Sequence, residues 1–136
     1  LAAFAAPHLR GYAPRLDLVH GNLARLAEEA GKSDEALAHY RQVLKVAPHD
    51  LGALLGLGAH AARARDWATA LEHFHEAARA APESDDAAAS LGGIYVVLGR
   101  WAEAEAELQR ALVLDPESQL ARRNLAALRK RWPAVD

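Results

Sequence analysis

The chain of 136 residues has no cysteine and no methionine, and its aromatic residues are limited to three Trp, three Tyr and two Phe. Without cysteine, disulfide bridges, zinc–thiolate centres and cysteine nucleophiles are excluded. That absence suits cytoplasm and periplasm alike, so the compartment stays open, with the cytoplasm favoured. Methionine is missing even from position 1, and the chain is therefore expected to be a piece of a longer protein. Long apolar runs are missing too. The longest uncharged apolar stretch, Ala87 to Gly99, is far short of the ~20 residues needed to cross a bilayer, and no membrane span is expected. Leu1 to Ala6 is apolar, but no basic segment precedes it, so it is not read as a signal peptide.

Half of the residues are hydrophobic, at 51%, and much of that fraction is alanine. Alanine is the best helix former, whereas strands favour β-branched and aromatic residues, so the composition predicts closely packed helices. The alanine and arginine content also fits a bacterial source.

Proline supplies the organising signal. Pro14, Pro48, Pro82 and Pro116 stand at equal intervals of 34 residues. A period of this length marks a stacked repeat, in which each unit buries its apolar face against its neighbours. The register divides the chain into 1–16 (a degenerate, partly helical N-terminal segment), units at 17–50, 51–84 and 85–118, and a capping helix at 119–132. Each unit reads as two helices. Gly31 and Gly99 fall where the turn between them needs a positive φ, and Asp34 and Asp66 fall near the start of the second helix, where a carboxylate suits the helix dipole. Aligned interior positions mix small and large: Ala24, Gly58 and Gly92, with Ala36, Ala70 and Ala104, let paired helices approach closely, while Tyr40, Phe74 and Leu108 fill the gaps.

These residues carry a specific resemblance. The pattern is similar to that of the tetratricopeptide repeat family, with the signature W-x2-L-G-x2-Y…A-x3-F…P over 34 residues. Unit three has Leu91-Gly92-x-x-Tyr95, Ala104, Ala111 and Pro116; unit two has Leu57-Gly58, Ala70, Phe74, Ala77 and Pro82; unit one has Leu23-Ala24, Ala36, Tyr40 and Pro48. The resemblance implies an all-α fold, a right-handed α-solenoid of three helix–turn–helix units plus a C-terminal capping helix. The cap is expected to bury Ala121, Leu125, Leu128 and Trp132, while Arg122 and Arg129 prevent another helix from docking. Residues 1–13 are expected to form a broken helix over Val19, Leu23 and Leu26. If they do not, that edge is the expected site of a homodimer.

Apparent chemical motifs are absorbed by the repeat. Gly56-x-Gly58-x-x-Ala61 mimics a dinucleotide fingerprint, but it lies inside a helix with no strand before it. Glu72-x-x-His75 resembles half of a di-iron motif and lacks the second half. His39 and His73 are read as surface residues and His60 as half-buried. No cofactor, metal site or catalytic residue is assigned. Arg122, Arg123, Arg129, Lys130 and Arg131 make the last helix basic, yet the net charge of the chain is −2, so nucleic acid is not the expected partner.

In the family, the first helices of successive units line a concave groove that holds a peptide or a helix. The resemblance places Asn22 and Arg25 of unit one in that groove, with Leu55, Ala59, Ala62 and Arg63 of unit two. Unit three adds Ala89, Ser90, Gly93 and Val97, and the cap Arg123 and Asn124. Chaperone-binding members clamp a terminal carboxylate with Lys and Asn; the clamp positions here hold Gly21, Gly56, Ala89 and Gly93, so Hsp70 and Hsp90 tails are not expected partners. The expected function is a non-catalytic protein–protein interaction module whose partner is an apolar or amphipathic peptide or helix. The alternatives are a self-associating scaffold and the non-catalytic appendage of a larger enzyme.

Overall fold

A computed structural model describes residues 15–133, which form seven α-helices and no strand. They are α1 (Leu16–Glu29), α2 (Ser33–Val46), α3 (Leu51–Arg63), α4 (Trp67–Ala80), α5 (Asp85–Val97), α6 (Trp101–Leu114) and α7 (Gln119–Arg131). Helices pair as α1–α2, α3–α4 and α5–α6, and each pair stacks on the next. The odd-numbered helices form one layer and α2, α4 and α6 the other. The expected covering of α1 by residues 1–13 lies outside the described residues.

Two kinds of turn recur, each for a local reason. Between the helices of a pair, the chain closes with a double backbone bond. Lys32, Asp66 and Arg100 amides donate to the carbonyls of Ala27, Ala61 and Tyr95, and the amides before them donate to Glu28, Ala62 and Val96. This helix ending requires a left-handed residue at its centre. Gly31 and Gly99 adopt it at φ 74° and 73°, but the middle pair uses Arg65 at φ 58°. A side chain is strained there by about 1 kcal/mol or more.

Between pairs, the amides of Asp50, Ser84 and Ser118 donate to the carbonyls of Ala47, Ala81 and Asp115. Each is a tight turn with Pro48, Pro82 or Pro116 at its second position, where a fixed φ and a missing N–H cost nothing. The next helix then starts at once, because Asp50, Ser84 and Ser118 accept from the amides of Ala53, Ala87 and Ala121. The 34-residue proline spacing is thus the spacing of this turn-and-cap device. Among second helices only α4 has such a cap: Asp66 accepts from Thr69, and these bonds hold its carboxyl below the usual range. Asp34 lies in the first turn of α2, near the helix start as expected, although the flanking residue Lys32 makes no side-chain cap.

Packing follows the small-against-large register. A Cβ at Gly58 would stand 2.5 Å from Phe74 Cε1, and one at Gly92 would stand 2.7 Å from Leu108 Cγ and Cδ2. A main core runs from α3 to α7 through Leu54, Phe74, Leu91, Ile94, Leu108 and Leu128. A smaller one joins α1, α2 and α3 through Ala24, Tyr40, Val43 and Leu57. Helix α7 buries Ala121 and Leu128, half-buries Leu125 and Trp132, and leaves Arg122 and Arg129 in solvent. Its last turn carries Arg129, Lys130 and Arg131. Cations at that end complement the helix dipole, which gives the basic cluster a structural reason.

Candidate partner-binding groove

The odd-numbered helices are not evenly spaced. Helix α5 packs closely on α7, α3 touches α5 lightly, and α1 approaches α3 less closely still. The layer therefore opens toward its N-terminal end. The opening holds a hollow of ≈ 660 Å³ lined by Glu28 of α1, Ser33 and Tyr40 of α2, and Gly52, Leu55, Gly56, Ala59 and Arg63 of α3.

Tyr40 shapes this hollow. A Cβ at Gly56 would overlap the Tyr40 ring, so the glycine lets the ring lie flat on α3. The Tyr40 hydroxyl donates to Glu28 Oε2 at 2.7 Å, tying the end of α1 to the wall. Burial first, and then the Glu28 carboxylate, push the Tyr40 phenol well above its usual range; Arg63 opposes them. The phenol therefore stays a donor. The result is an apolar floor of Leu55, Gly56 and Ala59 with one acidic and one basic group on its rim, Glu28 and Arg63. Such a surface can take an apolar side chain and a polar neighbour from one face of a helix.

The groove residues expected from the sequence separate into three sets. Leu55, Ala59 and Arg63 line the hollow. Asn22, Arg25, Val97 and Arg123 are exposed outside it, with Arg25 paired to Glu29 at 2.7 Å; Ala62 and Ser90 are half-buried. The third set lies where α7 meets α5, and there only Ala89 is withdrawn from the surface. Ala89 is fully buried, and Asn124 lies over it, its Nδ2 donating to the Ala89 carbonyl at 3.0 Å. A Cβ at Gly93 would meet the same amide nitrogen at 2.6 Å. Close approach of α7 to α5 therefore buries Ala89 beneath Asn124, while Gly93 and Asn124 themselves are half-buried. Ser33 and Tyr40 are lining residues that the register did not indicate, because both come from α2 and Tyr40 reads as packing.

The other chemical signals are placed as follows. Gly56 and Gly58 sit inside α3 beneath Tyr40 and Phe74. Glu72 and His75 are both exposed on α4. Among the described residues no three His, Asp or Glu side chains come together as a metal site, and no helix is long and apolar enough to cross a membrane. His60 is half-buried, as expected, and lines a second hollow of ≈ 430 Å³ between α2 and α4 with Leu37, Arg41 and His73. His39 is not a free surface residue: its ring meets that of His20.

Comparison with known proteins gives a consistent result. A family model described as tetratricopeptide repeat matches residues 61–128, and a second with the same description matches residues 22–82. No curated protein matches the chain. Among solved structures, the Arabidopsis OM64 TPR domain is similar at TM-score 0.76 and 21% identity, over 85% of this chain and 95% of that one. The first TPR domain of human RPAP3 is similar at TM-score 0.77 and 21% identity, over 87% of this chain and 93% of its own. A mutant of the Thermobaculum terrenum O-GlcNAc transferase is similar at TM-score 0.77 and 21% identity, over 92% of this chain and 23% of its own.

Proposed function

Because the chain belongs to the tetratricopeptide repeat family, we propose that it is a non-catalytic protein–protein interaction module whose partner lies in the hollow between α1 and α3. The observation that carries this reading is the ≈ 660 Å³ hollow itself, with its floor of Leu55, Gly56 and Ala59. The partner is an apolar or amphipathic helix or peptide, and the contacts fall on the N-terminal half of the groove. The first TPR of Spaghetti (RPAP3) was solved with the HSP90 peptide SRMEEVD. Glu28 on the rim here repels an acidic tail of that kind, and among the described residues Arg63 is the one cation lining the hollow.

Two substitutions test the reading. Ala59→Glu places a charge on the apolar floor, and Arg63→Glu reverses the exposed rim. Each should lower capture of the partner from source lysate at least tenfold, about 1.4 kcal/mol, with helical circular dichroism unchanged. Unchanged capture by both variants sinks the groove model. Gly93→Arg is unsuitable as a third, since it would strike Asn124 and shift α7.

A second reading is favoured by one face of α1. Val19 and Leu23 are 51% and 41% exposed, whereas their repeat equivalents in the next unit, Ala53 and Leu57, are 0% and 6% exposed. We read this face as a self-association surface. Light scattering at high concentration should then give a dimer mass that Leu23→Glu returns to a monomer mass. A monomer at every concentration removes this reading.

A further inference from the structure

His20 on α1 and His39 on α2 meet ring nitrogen to ring nitrogen, Nδ1 to Nδ1, at 2.9 Å, and both rings are half-buried. The ring centroids are 5.2 Å apart and the planes are tilted by 33°. That centroid separation equals the nitrogen–nitrogen distance plus the two ring radii, so the nitrogens lie on the line between ring centres. This is the alignment of an N–H···N hydrogen bond. A chelated metal ion would instead need both lone pairs turned toward a third point.

We propose that this pair is a proton-sensitive latch, closing the α1–α2 hairpin only while one of the two facing nitrogens is bare. One Nδ1–H donates and the other Nδ1 accepts. A first added proton can go to the outward Nε2 of the donor ring, which keeps the bond and makes it charge-assisted. A second has only the accepting Nδ1 to bind. It removes the acceptor and sets two cations against each other. The folded pair therefore holds one proton where the unfolded chain, with its imidazoles apart, holds two. Since the unfolded state then binds more protons, stability falls as pH falls through the imidazole range.

The surroundings offer no relief. Among the described residues no carboxylate lies within 4.0 Å of either ring. On α1, Asp17 is one turn from His20 but is held by Arg15 at 2.8 Å, and Glu28 and Glu29 are taken by Tyr40 and Arg25. On α2, Glu35 is one turn from His39 and exposed, and Asp34, Arg41 and Lys45 are exposed as well. On α3, which packs against α2, Asp50 caps its own helix, and His60 and Arg63 line hollows away from the pair. Opening the hairpin would displace Glu28, so a pH effect on partner binding follows if the groove reading holds. The latch itself does not depend on that reading.

The test compares urea unfolding of the unmodified protein and of His39→Asn at about pH 7.5 and about pH 5, with EDTA present. Asn places a donor and an acceptor near the former Nδ1 and does not titrate. The unmodified protein should show an unfolding constant that rises more steeply with acid, by up to about tenfold per pH unit relative to the variant. Equal slopes overturn the proposal. Nitrogen NMR of the unmodified protein at neutral pH should show one Nδ1 protonated and one bare; both protons on Nε2 overturn it, whether or not the variant folds.

Discussion

Leu108→Ala is expected to lower the unfolding free energy by about 3–5 kcal/mol, toward the top of the range for a buried leucine. The cost depends on whether the surroundings collapse into the vacated space. Leu108 is 0% exposed, and its flanking residues on the same face, Ala104 and Ala111, are also at 0%. The surface it covers is Gly92, which has no side chain to swing inward. Filling the void from the Gly92 side needs backbone movement of α5 or α6, and both helices are held by further packing. Chemical denaturation followed by circular dichroism measures the loss. A loss below about 1.5 kcal/mol would show that the helices close up. A double-mutant cycle isolates the pair: Gly92→Ala should destabilise the unmodified protein and recover part of the loss in the Leu108→Ala background.

The second large effect is at Gly58. Gly58→Leu should cost about 3 kcal/mol, the upper end for overpacking, because even a Cβ would stand 2.5 Å from a Phe74 ring that is 5% exposed. The ring is flanked by Ala70 and Ala77, both at 0%, so it cannot retreat without separating α3 from α4. Gly21 is the internal control. A Cβ there meets nothing within 4 Å among the described residues, so Gly21→Ala should leave stability unchanged or raise it by up to about 1 kcal/mol through helix propensity. Similar melting temperatures for Gly58→Leu and the unmodified protein would show that the packing register is wrong.

The fold was readable because the same local device is spelled out three times. Pro48, Pro82 and Pro116 are each followed two residues later by Asp50, Ser84 or Ser118, and this pairing writes turn and cap together. Gly31 and Gly99 likewise mark a conformation that most residues avoid. Arg65 occupies the third such position without any sequence sign, since the paired backbone bonds impose the turn whatever residue stands there. Asp34 falls in the first turn of α2 as its position implied, but one residue of register decides whether such a side chain also caps a free amide, and there it does not.

The site was less legible, because it depends on distances between helices. Periodicity says which way Ala89 and Gly93 point, but not that α7 lies close enough to lay Asn124 over Ala89. Gly56 looked like groove floor and also serves as the seat of the Tyr40 ring. The His20–His39 contact joins two residues that occupy unremarkable positions in their own helices. It could have been found only by pairing positions across the hairpin.

Packing of each unit on its neighbours has a consequence for the order in which the chain comes apart. In such an array the cost of opening a unit is close to a sum of its own stability and its contacts with adjoining units. Helices α5, α6 and α7 share one cluster centred on Leu108 and Leu128, and each is braced by the other two. Helix α1 leans chiefly on α2. Thermal fluctuation should therefore unzip the molecule from α1 inward, and refolding should proceed outward from a nucleus around Leu108.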